Sequence, residues 1–508
     1  MAHTTQQIRN ISPKVITFLL LAFGLMFMVY ALIFQKILLF AIIVGLPLGV
    51  IILTYSIQRP RMSYLLYGAY TFYLTAIMRY SRQDGLSVIS DGLLIYMTIS
   101  ILFYYVKNKN DIRLSNAINF FTVTYIAWFL YILIQFINPA SDSTSYIAGI
   151  RGWLLSTPIL YFVSCILLDN PKTLKRSLII IGIFTITAFL KLLYQKYRWF
   201  DAAETEWLMG GSWYTHILSS GIRYFSIYSD AGNFGSNMGM ISIVYGIIAF
   251  HTSEKWLRIF FSCIALMGIV GMIMSGTRGA MIVPLGGLAL YCLICKNIKI
   301  MVISALAVIM LYAFFAFTEI GDGNALIRRM RTAFRPQEDT SFNVRIENQK
   351  LIAEYMRTHP WGAGLGKGVA RVNVNSDGVV EDTIPPDAFY VDIWIQTGTI
   401  GLLIYISMCI AIIIYSCYII MFRVRNPGLR NILTAFICGV FGIWLNGYVG
   451  RGMGMTPSFF MVAASLAFIM NGPYIDRLLR ESKSEILNTK PVSYTHLRAH
   501  ETAANIVC

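Results

Sequence analysis

Charge is scarce in this chain. Only 13% of its 508 residues are Asp, Glu, Lys or Arg, while 56% are hydrophobic; soluble globular domains carry roughly 25% charged residues. That shortage excludes a soluble domain of this size and leaves a polytopic membrane protein. Acids are the scarcer sign: 25 Asp and Glu stand against 41 Lys and Arg, a net charge of +16. The excess does not require nucleic acid as a partner, because basic turns on the cytoplasmic side of a membrane protein produce it equally well. Cysteines number eight, mostly inside apolar stretches, and none falls in the one long polar segment. A disulfide framework is therefore excluded, and Cys292-x-x-Cys295, inside an apolar helix, reads as packing and not as a metal or redox site. The chain also lacks the internal repeat typical of transporters.

What remains is mostly membrane. Apolar windows of roughly 17–23 residues lie near 15–34, 37–57, 62–78, 86–106, 118–137, 153–168, 178–193, 234–250, 257–274, 279–295, 298–317, 399–421, 431–449 and 455–471. The expected fold class is all-α, a polytopic membrane protein of about 14 transmembrane helices (range 12–14), with one large external loop. The first window lacks a small-residue cleavage site and is followed at once by another, so it reads as a span and not as a cleaved signal. With the N-terminus inside, the inner turns hold Arg59/Arg61, Lys107/Lys109/Arg113, Lys172/Lys175/Arg176, Lys255/Arg258, Lys296/Lys299 and Arg423/Arg425/Arg430. That is the positive-inside pattern, and it places both termini in the cytoplasm.

The turns on the other side carry single cations, nearly all arginine: Arg79, Arg82, Arg151, Arg278 and Arg451, with Lys36 the exception. Retention signals do not distinguish Arg from Lys, whereas bidentate recognition of phosphate does. The competing reading is that each arginine snorkels to the interface. The long polar segment, Thr318 to Gly401, falls outside on this topology, as does Tyr194 to Gly232. Long loops of this kind usually carry function, and we expect the first to lid a site at the membrane surface. Domain boundaries follow: 1–318 an N-terminal transmembrane bundle, 319–398 the external catalytic loop, 399–475 C-terminal helices, 476–490 a cytoplasmic tail. Residues 491–508 resemble a translated sequencing adapter and are excluded from functional reading.

Four stretches carry candidate chemistry. Ser275-Gly276-Thr277-Arg278-Gly279-Ala280 breaks two spans with glycines, a possible Thr277 cap, and N–H groups that favour an anion beside Arg278; an ordinary hairpin turn is the alternative. Arg223 to Gly235 is aromatic and hydroxylated, which suits either sugar stacking beside a cation or an interfacial belt. Residues 341–358 form an expected helix with Arg345 on the face of Gln349 and Ile352; the following HPWGAGLGKG fails as a P-loop, since no strand precedes it and Lys367 is followed by Gly. Finally, Pro385-Pro386 should start a helix that places Asp387, Tyr390, Val391 and Trp394 on one face, with Asp392 well round from them. Helix capping is the competing reading for Asp387.

In that order these motifs resemble the bacterial O-antigen ligase / O-antigen polymerase superfamily. The resemblance runs over residues 220–470 through Arg223, the Arg278 motif, a large loop, Arg345, Pro360 to Gly366, and Phe389 to Gly401. It implies a metal-independent, cofactor-free glycosyltransferase of the ligase type. Such an enzyme moves a glycan from an undecaprenyl-diphosphate carrier to a lipid (lipid A core-like) or other glycan acceptor, on the outer face of a bacterial cytoplasmic (inner) membrane. No nucleic acid is involved. Arg223, Arg278, Arg345, Arg451 and Arg151 are the expected diphosphate and glycan contacts, with Tyr390 beside them. The ligase pattern has a His where this chain has Asp387, so Asp387 is the expected base and His359 the next candidate. A polymerase using the same donor is the rival in class, and a flippase or exporter of lipid-linked sugar the rival outside it.

Overall fold

The computed structural model describes residues 57–109, 111–218, 221–295, 298–321, 323, 325–334, 340–375 and 378–488, together with Val50 and Thr54. The expected span at 15–34, most of that at 37–57, Lys36, Lys296 and the segment 491–508 lie outside the described residues.

The chain is built from helices. In order the principal ones are α1 (Pro60–Ser81), α2 (Ser87–Lys107), α3 (Phe120–Ile134), α4 (Ser143–Leu154), α5 (Leu160–Leu167), α6 (Pro171–Arg198), α7 (Ala231–His251), α8 (Lys255–Met274), α9 (Ile282–Ile294) and α10 (Ile298–Phe317). There follow α11 (Ala325–Arg331), α12 (Thr340–Thr358), a hairpin of β1 (Val369–Asn375) and β2 (Gly378–Ile384), then α13 (Phe389–Tyr418), α14 (Pro427–Asn446), α15 (Ser458–Met470) and α16 (Gly472–Asn488). Side-chain caps fix several starting points: Asn119, Asp142, Asn170, Asp230 and Asn426 each accept a backbone N–H from the first turn that follows. Pro171 and Pro427 sit at first-turn positions where no donor is missed.

Among the described residues, seven helices are long and apolar enough to cross a bilayer, and the pair Ser458–Met470 and Gly472–Ser484, bent by 57°, makes an eighth if counted as one span. The expected count of about 14 is not confirmed among the described residues, which leave out the first window and most of the second, and an apolar window does not guarantee one continuous helix. The window at 153–168 is interrupted between α4 and α5 by a wide turn holding Pro158. That at 279–295 opens on a 3-10 turn, Arg278–Met281, and leaves only a short helix behind it. Apolar side chains such as Leu293, Ile303, Leu403 and Ile414 remain exposed, which suits a lipid-facing surface.

α7 is the central helix, with four-fifths of its apolar window buried (83%). It packs against α8, α9 and α14, so the ends of these helices meet at one end of the bundle. The long polar segment folds over that end, and it is not structureless. Ile352 and Met356 of α12, Val369 and Ile384 of the hairpin, and Ile395 of α13 form a small core of their own. The hairpin is antiparallel with Val369 opposite Ile384. One close approach locks it to the bundle: Gly398 breaks α13 at φ 73°, and a Cβ there would sit 2.1 Å from the carbonyl oxygen of Pro360. The Pro360–Gly366 turn thus seats on a kink that only glycine permits. Asn138 donates to the carbonyls of Trp361 and Gly362, and Lys367 pairs with Asp142 at 2.9 Å.

Candidate active site

Burying polar groups at the bundle end requires partners, and the motif residues supply them to one another. Asp230 caps α7 by accepting from the N–H groups of Gly232 and Asn233 at 2.7 and 2.9 Å. The remaining first-turn N–H, that of Ala231, donates to His216 Nε2 at 3.2 Å. The other ring nitrogen, Nδ1, lies 2.9 Å from the carbonyl of Ser212, so Nε2 is the acceptor and Nδ1 carries the proton. Burial pushes this imidazole down to about 4, with Arg223 adding to the effect and Asp230 opposing it. His216 is thus a neutral cap.

Arg223 follows directly. Its guanidinium donates to the carbonyl of Thr215 at 2.8 Å and to Thr277 Oγ1 at 3.0 Å. Thr277 does not cap the following helix as its position suggested; its hydroxyl donates to the carbonyl of Ala231. Burial lowers the proton affinity of Arg223, Asp230 counters this, and Arg345 and Arg278 push the same way as burial. The buried Nε of Arg223 has no hydrogen-bond partner among the described residues. Gly276, at φ 59°, lets Arg329 Nε reach its carbonyl at 2.7 Å. Arg278 donates to Thr332 Oγ1 at 2.8 Å, and Arg345 donates to the carbonyl of Val449 at 3.0 Å.

These side chains enclose a cavity of ≈ 670 Å³, within the size range of ligand sites. Arg223, Arg278, Arg329, Arg345 and Arg451 line it, against the carboxylates of Asp230 and Asp387. Asp230 is engaged by the α7 terminus, whereas Asp387 is not. It precedes α13 instead of lying on its face: the helix begins at Phe389 after an extended Ala388, and Asp387 adopts a left-handed backbone with φ 55°. Asp and Asn tolerate that region better than most side chains. Asn348 of α12 donates to Asp387 Oδ2 at 3.0 Å.

The other candidates lie elsewhere. Arg151 pairs with Asp91 on α2, and Tyr390 donates its hydroxyl to the carbonyl of Trp444 at 2.8 Å. His359 stacks on Tyr355, ring centres 4.1 Å apart. None of the three lines the arginine cavity among the described residues. The aromatic run after Arg223 is packing and not a sugar platform, with Phe225, Tyr228 and Phe234 all buried. Sequence reasoning missed Arg329, His216, Thr332 and Asn348. Arg329 sat in a basic run, Arg328-Arg329-Met330-Arg331, that reads as a solvated face.

No protein of curated function matches the chain. Residues 261–406, which carry Arg278, Arg329, Arg345 and Asp387, match the family model described as O-antigen ligase, and this match supports placing the chain in the O-antigen ligase superfamily.

Proposed function

We propose that this chain is a membrane glycosyltransferase that moves a glycan from an undecaprenyl-diphosphate carrier to a lipid or glycan acceptor at the outer face of the bacterial cytoplasmic membrane. The observation that carries this reading is the convergence of five arginines and Asp387 on one cavity at the end of a membrane bundle. An acceptor hydroxyl attacks the anomeric carbon, and the bond from that carbon to the diphosphate oxygen breaks. The electron pair stays on the diphosphate, where guanidinium groups offset the developing charge. Arg223, Arg278 and Arg345 supply planar forks that suit phosphate oxygens, so the positive charge comes from the protein itself. Asp387 takes the proton from the acceptor hydroxyl, a role that typically supplies a factor of about 100 to 10,000.

Analysis of lipid-linked glycans in a deletion strain tests the reading. Accumulation of full-length glycan on the carrier is the expected result. Accumulation of single repeat units would assign polymerisation instead, and donor trapped on the inner leaflet would assign a flippase.

A further inference from the structure

A second cavity, of ≈ 360 Å³, adjoins the first across a thin wall. The two share chain segments: Asp387 lines the first and Phe389 the second, Gly452 the first and Met453 the second. The N–H of Phe389 donates to the carbonyl of Gly450 at 3.1 Å and stitches the wall together. Arg451 lines the arginine cavity yet reaches Asp392 of the second at 3.3 Å. Asp392 also accepts from Gln396 Nε2 at 2.9 Å, and Gln396 Oε1 accepts from the N–H of Gly366 at 3.2 Å.

The lining argues for its occupant. Trp153, Phe389, Tyr405, Trp444 and Phe459 form the walls, and Val462 is the one branched aliphatic among the lining residues. A slot for an isoprenoid or acyl chain has no need of so many rings. Aromatic faces carry negative charge at their centres and attract the polarised C–H faces of sugars. Asp392 is the single carboxylate at the polar end, and no lysine or arginine lines the cavity among the described residues. Without a cation in its lining the cavity has little to hold a diphosphate, and the Asp392 carboxylate, paired with Arg451, keeps acceptor capacity for hydroxyl groups.

We propose that this cavity is the acceptor subsite, holding the terminal sugars of the acceptor glycan, with the rings of Trp153 and Phe389 as platforms and Asp392 and Gln396 on sugar hydroxyls. It rests on the transferase reading above and deepens it, since Asp387 lines the first cavity and Phe389, two residues on, lines the second, which sets a sugar seated here beside the proposed base. Gly152 lines the cavity, and an added Cβ there meets nothing within 4 Å. Gly152→Leu therefore adds bulk to the lining, and Trp153→Ala removes a platform.

The probes are two: the oligosaccharide released by mild acid from surface glycolipids of a deletion strain, and undecaprenyl diphosphate. Both are titrated calorimetrically into the detergent-purified full chain. The expected result is that Gly152→Leu and Trp153→Ala each weaken oligosaccharide binding at least tenfold, with undecaprenyl diphosphate bound within twofold of the parent. Unchanged oligosaccharide affinity, or no binding by the parent protein, overturns the subsite. Loss of undecaprenyl diphosphate binding in its place assigns the cavity to the carrier chain and also overturns it. If the oligosaccharide binds as expected but the parent protein transfers no glycan, the cavity stands as a glycan-binding site and the transferase reading, with the acceptor role, fails.

Discussion

Asn348 on α12 donates a 3.0 Å hydrogen bond to Oδ2 of Asp387, joining the polar segment to the turn before α13. The contact orients the carboxylate that we assign as the base, and a hydrogen bond to a charged group is worth roughly 1.5–3 kcal/mol. Asn348→Ala should keep the fold and donor binding but slow transfer about ten- to a hundredfold.

Asp387→Asn retains a residue suited to φ 55°, so it should fold normally while losing transfer by about 100-fold or more. Asp387→His should retain part of the activity, because His also tolerates this backbone region. Transfer rates on purified protein check both. A normal rate for Asp387→Asn moves the base elsewhere.

Topology gives a separate test. Single cysteines in place of Arg345 and Lys172, in a background without the native cysteines, should behave oppositely toward an impermeant thiol reagent. Position 345 should react from the outer face and position 172 should not. Reaction at 172 contradicts the proposed side for the arginine cavity.

His216 makes stability depend on pH. Its ring is neutral and held down to about 4 in the folded chain, whereas an unfolded His titrates near ~6.5. Its contribution is therefore complete above about pH 6.5 and is lost as pH falls toward about 4, by on the order of 3 kcal/mol. Thermal melting between those limits should fall more steeply for the parent protein than for His216→Gln, whose amide oxygen can still accept the Ala231 N–H. Parallel profiles contradict the neutral cap.

Arg223, Arg278 and Arg451 were legible in the sequence because each stands beside a glycine or helix break, where a cation has no packing role to explain it, whereas Arg345 lies inside α12 and was legible only by its helix face. Their convergence on one cavity depends on how α7, α8, α9 and α14 end together, which no local pattern encodes. His216 was illegible for the same reason: its partner, the Ala231 N–H, lies across a loop. The alternation in Val372-Asn373-Val374-Asn375 is a strand signal before a turn, overshadowed by the helical character of everything near it. The run from Tyr224 to Phe234 misled in the other direction. Its aromatics fit a sugar platform in composition, but burial in the core decides their role.

The central claim is that a lipid diphosphate sits among the arginines, and Arg278→Lys tests it most directly. Arg278 lines the cavity and donates to Thr332 Oγ1 at 2.8 Å. Lysine keeps the charge but cannot present two parallel donors to phosphate oxygens. The measurement is glycan transfer by the purified full chain from undecaprenyl-diphosphate-linked donor, with folding checked by thermal melting. The account predicts a folded Lys variant that loses most of its transfer activity. A folded Arg278→Lys variant that transfers at the parent rate would show that the residue merely anchors its helix, and would contradict the account.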